Sequence, residues 1–177
     1  MSMSFQHFKH DLRANQWSGP KALLAPFLSP AILLLLLHRS AVMLRRIPLA
    51  GKPLSLLAWR LNTLLTSCHI NPRCTIGGGL FLPHPAAIVM GERVRIGSDV
   101  TIYQSVTLGT SLPGSSAYPT IEDNVTIYAG AVIVGGVTIG QGAVIGANAF
   151  VNTDVPAGAL FAGVPARDVS NRAARGT

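Results

Sequence analysis

Acidic side chains are almost missing from the first part of this chain. Residues 1–69 hold one, Asp11, against eight lysines and arginines, whereas residues 70–177 hold six acids against six arginines. The net charge of +7 therefore belongs to the N-terminal part alone, which points to an anionic partner there. The segment from Ala31 to Leu65 is, however, apolar with interspersed arginines, and a phosphate-tracking nucleic-acid surface is more polar and interleaves aromatics with its basic residues, so none is expected. Long apolar runs are missing as well. The uninterrupted run Ala31–Leu37 is bounded by Pro30 and by His38-Arg39, and a spanning helix needs about 20 apolar residues. Extending it to Leu44 would place Arg39 near the centre of the bilayer, at about 2.5–3.5 kcal/mol. What remains is an amphipathic or buried helix over 31–46 and a second over 54–67. These pack on the rest of the protein or on a neighbouring subunit, or they rest through residues 22–67 on an anionic leaflet.

Two further shortages narrow the chemistry. Cys68 and Cys74 form no CxxC and no metal-ligand spacing, which reads as two ordinary reduced thiols. No secretory signal opens the chain, so a cytoplasmic location is expected, with peripheral contact at the inner membrane as the second possibility. Past His69 the only histidine is His84, in FLPHPAAIVMGE. One histidine is too few for a three-histidine zinc site, and no metal is expected.

What the chain does have, from residue 69 onward, is a repeat. Stepping by six from Ile70 meets Ile76, Leu82, Ile88, Val94, Val100 and Val106, while a second phase runs Ile96, Ile102, Leu108 and resumes at Ile121, Ile127, Ile133, Ile139, Ile145 and Val151. Small or β-branched residues such as Val125, Ala131, Val137, Ala143 and Ala149 fill the fifth position. Glycine often follows the aliphatic. Each six-residue unit thus reads as one short strand and one tight corner, with glycine or asparagine where positive φ is cheap. A single unit cannot bury its own aliphatic, so coils must stack into a solenoid. The step from Leu108 to Ile121 is thirteen residues and holds GTSLPGSSAYPT. That stretch reads as a loop extruded from the stack over residues 109–120.

The runs HINPRCTIGGGLFLPH, IVMGE, QSVTLGT and AGVPAR, spanning residues 69–168, resemble the serine O-acetyltransferase-like branch of the hexapeptide-repeat acyltransferases. The resemblance implies a left-handed parallel β-helix, an all-β core of hexapeptide repeats preceded by a short helical N-terminal region over 1–68; the remaining 169–177 are expected to form a flexible tail, as chain ends commonly do. It implies acetyl-CoA as co-substrate and a homotrimer whose neighbouring β-helices share the CoA groove. His84 stands where the family's general base deprotonates an acceptor hydroxyl, a task suited to imidazole near neutral pH. Backbone N–H groups near Gly109 and Thr110 stand where the oxyanion forms. Ala129-Gly130, Ala147-Asn148 and Ala162-Gly163 match the corners along the pantetheine, and Arg167 can meet a CoA phosphate. Gln104 and Tyr118 fall at acceptor positions.

The chain also departs from that pattern. The serine enzymes carry an aspartate before the catalytic histidine and another fifteen residues earlier; here these positions are Pro83 and His69. The orienting group is then a backbone carbonyl, His69 as a neutral acceptor, or an acid such as Glu92. The loop's arginine–histidine pair for the amino-acid carboxylate is replaced by Ala117-Tyr118, removing a bidentate partner. Together with the apolar, basic N-terminus, these losses lead to an expected O-acetyltransferase acting on a saccharide hydroxyl of a surface polysaccharide or its precursor. Serine O-acetyltransferase proper and a non-catalytic β-helix binding protein are the alternatives.

Overall fold

The computed structural model describes residues 3–170, with side chains from Gln6 onward. Four α-helices come first: α1 (Met3–Ala14), α2 (Ala25–Leu28), α3 (Pro30–Leu44) and α4 (Gly51–Thr66). Pro30 opens α3 at a position where its missing N–H costs nothing, and Ser29 caps it by accepting from Ile32 N. Ser67, in the left-handed region, ends α4. The two expected helices are therefore present. Their order along the chain is joined by α1, which the apolar pattern did not announce.

The rest is a stack of short strands. The first coil holds β1 (His69–Ile70) and β2 (Thr75–Ile76), and the second holds β3 (Val89–Met90), β4 (Arg95–Ile96) and β5 (Thr101–Ile102). The third coil holds β6 (Thr107–Gly109), β7 (Thr120–Ile121) and β8 (Thr126–Ile127); the fourth holds β9 (Val132–Val134), β10 (Thr138–Ile139) and β11 (Val144–Ile145). After β12 (Phe150–Val151), a terminal hairpin of β13 (Leu160–Gly163) and β14 (Ala166–Asp168) closes the stack. Every pairing but that hairpin is parallel, and the strands form three faces, ordered β1-β3-β6-β9-β12, β2-β4-β7-β10 and β5-β8-β11-β13-β14. This is the left-handed parallel β-helix of hexapeptide repeats expected above.

Why these residues stack is visible in the burial. Ile96, Ile102, Leu108, Ile121, Ile127, Ile133, Ile139 and Ile145 all point inward and are buried, and the register sets like on like, as in Ile102 against Ile127 and Ile127 against Ile145. Each buried aliphatic contributes about 1.5–3 kcal/mol. Two residues before each lies the narrow corner position, filled by Val94, Val100, Val106, Val125, Ala131 and Ala143, all buried. Cys68, Cys74 and Leu80 hold that same position in the first coil. Both cysteines are free and buried, and burial pushes the Cys74 thiol up to about 12.

The structure corrects the phase of the repeat. Ile70, Ile76 and Leu82 are strand positions, but Ile88, Val94, Val100 and Val106 are corner positions, so the run that steps evenly by six joins two phases. The strand position after Leu82 is Met90, a step of eight instead of six. Two extra residues therefore sit in the corner Pro83–Ala87, in addition to the loop between β6 and β7. The expected tail lies, over residues 171–177, outside the described residues; Val169 and Ser170 are tied back to Leu160 and Asp168.

The helices are clamped to the first coil by a buried ion pair. Arg39 of α3 donates through Nε and Nη2 to the two carboxylate oxygens of Asp11 on α1, at 3.1 and 3.2 Å. Asp11 Oδ1 also accepts from Gly79 N and Leu80 N, and Arg39 donates to the carbonyls of Ile76 and Gly77. Asn15 donates to Leu80 O and accepts from Leu82 N. Every hydrogen-bonding group of this pair therefore has a partner, which a buried pair requires. Helix α4 packs on α3 with an inverted pattern. Its inward residues are Gly51, Ser55, Asn62 and Thr66, while its leucines face outward.

Candidate active site

His84 sits in the lengthened corner between Leu82 and Met90. Pro83 and Pro85 fix φ on either side of it, Ala86 N donates back to His84 O at 2.9 Å, and Ala87 takes a positive φ of 52°. Ser105 N donates to Ala86 O, fastening the turn to the second coil. Asp11 and Asn15 fasten its other end through Gly79, Leu80 and Leu82. The imidazole is exposed, with its ring centroid 6.3 Å from that of Tyr103. Tyr103 in turn stacks on Tyr128 at 5.1 Å. The extra residues thus push a histidine on a fastened turn out of the stack beside the Tyr103 ring. Sequence reasoning passed over both tyrosines. The signal was the repeated Thr-Ile-Tyr at 101–103 and 126–128, which places each ring just after an inward isoleucine on the same face.

The same corner carries most of the expected CoA-side residues, together with Gln104, which was expected at the acceptor. Gln104, Ala129, Ala147 and Gly163 each follow the third-face residue by two, and the pairings Ile102–Ile127–Ile145–Phe161 put them in one column. Gly130 N donates to Gln104 O at 3.0 Å and Asn148 N to Ala129 O at 2.9 Å, so the corners are laddered. Gly130 has a φ of 72°, and a Cβ there would lie 2.1 Å from Asn148 Oδ1. Ala162 lies against Gly146, whose Cβ would approach it to 2.9 Å, and pairs across the hairpin with Arg167. Small residues thus leave a shallow, backbone-lined strip down one edge. At its upper end the Gln104 Oε1 is buried without a hydrogen-bond partner, an acceptor that a donor such as a pantetheine amide would satisfy.

The remaining expected residues lie elsewhere. Gly109 and Thr110 are at the opposite edge of the first face, where the loop leaves the stack, and a Cβ on Gly109 would meet nothing within 4 Å. Tyr118 closes that loop by lying over Gly91, close enough that a Cβ there would come within 2.3 Å of the ring. His69 packs its ring against Trp59 of α4 at 4.8 Å. Glu92 accepts from Arg73 at 2.8 Å and pairs with Arg93 at 3.6 Å. Within one chain, then, His84 has an aromatic neighbour in place of a carboxylate. Among the described residues there is no cluster able to hold a metal ion.

Comparison with known proteins follows this geometry. A model described as bacterial transferase hexapeptide (six repeats) matches residues 118–153. A serine acetyltransferase of Helicobacter pylori (strain ATCC 700392 / 26695) is 42% identical over 78 residues, 43% of this chain and 43% of that protein. The chain thus spans less than half the length of this curated relative. Soybean serine acetyltransferase in its apo form superimposes with a TM-score of 0.85 and 34% identity over 94% of this chain and 69% of that one. A serine acetyltransferase in complex with CoA superimposes with a TM-score of 0.82 and 32% identity over 94% of this chain and 69% of its own. These findings overturn the expected saccharide acceptor: the curated relatives and the solved neighbours are serine acetyltransferases, and nothing among them supports a polysaccharide-biosynthesis branch.

Proposed function

Because the chain belongs to the hexapeptide-repeat transferase family, whose solved neighbours here are serine acetyltransferases, we propose that it transfers acetyl from acetyl-CoA to the hydroxyl of serine. The observation that carries this reading is the His84 turn: an exposed imidazole, clamped at both ends, at the head of a column of small corner residues. The His84 imidazole takes the hydroxyl proton as the oxygen attacks the thioester carbonyl. N–H groups at Gly109 and Thr110 receive the developing oxyanion. Collapse of the tetrahedral adduct releases the CoA thiolate, and the imidazolium returns its proton to that sulfur. The column from Ala129 to Gly163 receives the pantetheine arm, and Arg167 the phosphates.

His84 and Gly109 stand at opposite edges of the first face, and a strand of two or three residues separates them by roughly 7–10 Å. A neighbouring copy brings the two edges together, so the working unit in this reading is a homotrimer with sites between chains. The positions that hold the amino-acid carboxylate in the serine enzymes are Ala117 and Tyr118 here, so serine binds with less charge assistance, at a KM of about 1 mM or above. The test is thiol release from acetyl-CoA with L-serine, comparing the natural chain with His84→Ala. His84-dependent release supports the reading. A chain that binds acetyl-CoA yet releases no thiol with serine defeats it.

A further inference from the structure

Helix α4 shows its greasy side to solvent. Leu54, Leu56, Leu57, Leu61, Leu64 and Leu65 are exposed by 41–78%, while the polar Ser55, Asn62 and Thr66 are turned inward against α3. Two of the inward polar groups are accommodated locally: Asn62 Nδ2 donates to Leu34 O, and Thr66 Oγ1 donates to Asn62 O, whereas Ser55 Oγ is buried without a partner. The small residues Gly51 and Ser55 let the two helices approach closely, so the orientation is built into the packing and cannot be reversed without burying leucines where there is no room. An apolar face of this extent needs a cover.

The charges say which. Arg46, Lys52 and Arg60 are exposed around this face and Arg45 is half-buried beside it, and no acid lies on α3, α4 or their connection. The single acid of the helical part, Asp11, is buried and held by Arg39. The connection itself ends in Ile47 and the fully exposed Leu49, bracketed by Arg45, Arg46 and Lys52 around one depression. A second copy of α4 laid on the first would set cation against cation with nothing to neutralise them. No helix among the described residues is long and apolar enough to cross a membrane.

We propose that α4 is an interfacial anchor that lies flat on an anionic lipid bilayer, with its leucines among the acyl chains and Arg45, Arg46, Lys52 and Arg60 at the headgroup phosphates. Trp59, partly buried on the same helix with the Arg60 guanidinium 5.8 Å from its ring centroid, joins the cationic rim to the apolar face.

Flotation of the full chain with vesicles of phosphatidylcholine, and of phosphatidylcholine mixed with phosphatidylglycerol, tests this. The chain is expected to float with the phosphatidylglycerol vesicles only, and less at high salt. Lys52→Glu with Arg60→Glu is expected to lower that binding about tenfold or more, and Leu57→Gln with Leu64→Gln to abolish it, both with unchanged melting temperatures. Equal binding to both vesicles, or binding to neither, overturns the proposal. So does a leucine variant that keeps its lipid binding while sedimenting as a smaller assembly, since the leucine face would then be an interface between copies. Thiol release with serine is measured in detergent-free buffer, so loss of lipid binding and loss of activity are read independently.

Discussion

At His84 the fold offers a side chain with little structural duty. It is exposed and its hydrogen bond to the turn is made by its backbone carbonyl. His84→Ala is therefore expected to leave the melting temperature unchanged and to lower kcat with acetyl-CoA and serine about 10²–10⁴-fold. Gly130 is the opposite case. It combines a positive φ with a site where a Cβ meets Asn148, so Gly130→Ala is expected to cost about 1–3 kcal/mol in denaturant unfolding. The two thiols bear on the assay itself. Burial raises both above the ordinary cysteine range, Cys74 to about 12. Neither should react with a thiol reagent at neutral pH until the chain is unfolded, and the CoA thiol can then be read against a silent background.

At the scale of elements, α1 and α3 act through one ion pair. Asp11 is the only acid of the first 69 residues, and it holds Arg39 and the backbone of Gly79 and Leu80 at once. Asp11→Ala leaves a buried guanidinium unpaired and is expected to cost about 3–5 kcal/mol, measured by urea unfolding. Because the same backbone leads into the His84 turn, activity should fall as well. His38, next along α3, is buried against Cys74, and burial followed by the Arg39 charge holds its pKa down to about 3. The folded state thus binds fewer protons than the unfolded one between pH 6.5 and about 3. Stability is full above 6.5 and falls as the pH drops through that window, by at most about 1.4 kcal/mol per unit. His38→Gln should flatten this slope in thermal melts across the same range.

For the whole molecule, the separation of His84 from Gly109 across one face makes assembly part of the catalytic argument. Sedimentation of the full chain should give three times the chain mass, and Ala147→Leu, on the exposed corner column, should raise the KM for acetyl-CoA about tenfold while leaving the melting temperature in place. The period of six was enough to read a stacked solenoid, since coils of this length bury their aliphatics only by stacking, whereas the column of small corner residues came from the family resemblance. Leu82 to Ile88 is also a step of six, and both are buried, so hydrophobicity alone could not show that the first is a strand residue and the second a corner. The two extra residues that carry His84 outward were hidden by that coincidence. The expected saccharide acceptor rests on the loss of charged partners at 69, 83, 117 and 118, and it is overturned because the curated relative and the solved neighbour matched here are serine acetyltransferases.

The sequence by itself determined the solenoid, the regular corners past Met90, the existence of the loop between β6 and β7, and the one-sided charge, because each is a matter of residue type at a fixed spacing. Only the tertiary structure decided that His69 meets Trp59, that Glu92 meets Arg73, that Asp11 and Arg39 pair 28 residues apart, and that α4 turns its leucines to solvent. Those outcomes depend on which surfaces reach one another once the chain has closed. An amphipathic helix seen alone has no inside until α3 supplies one.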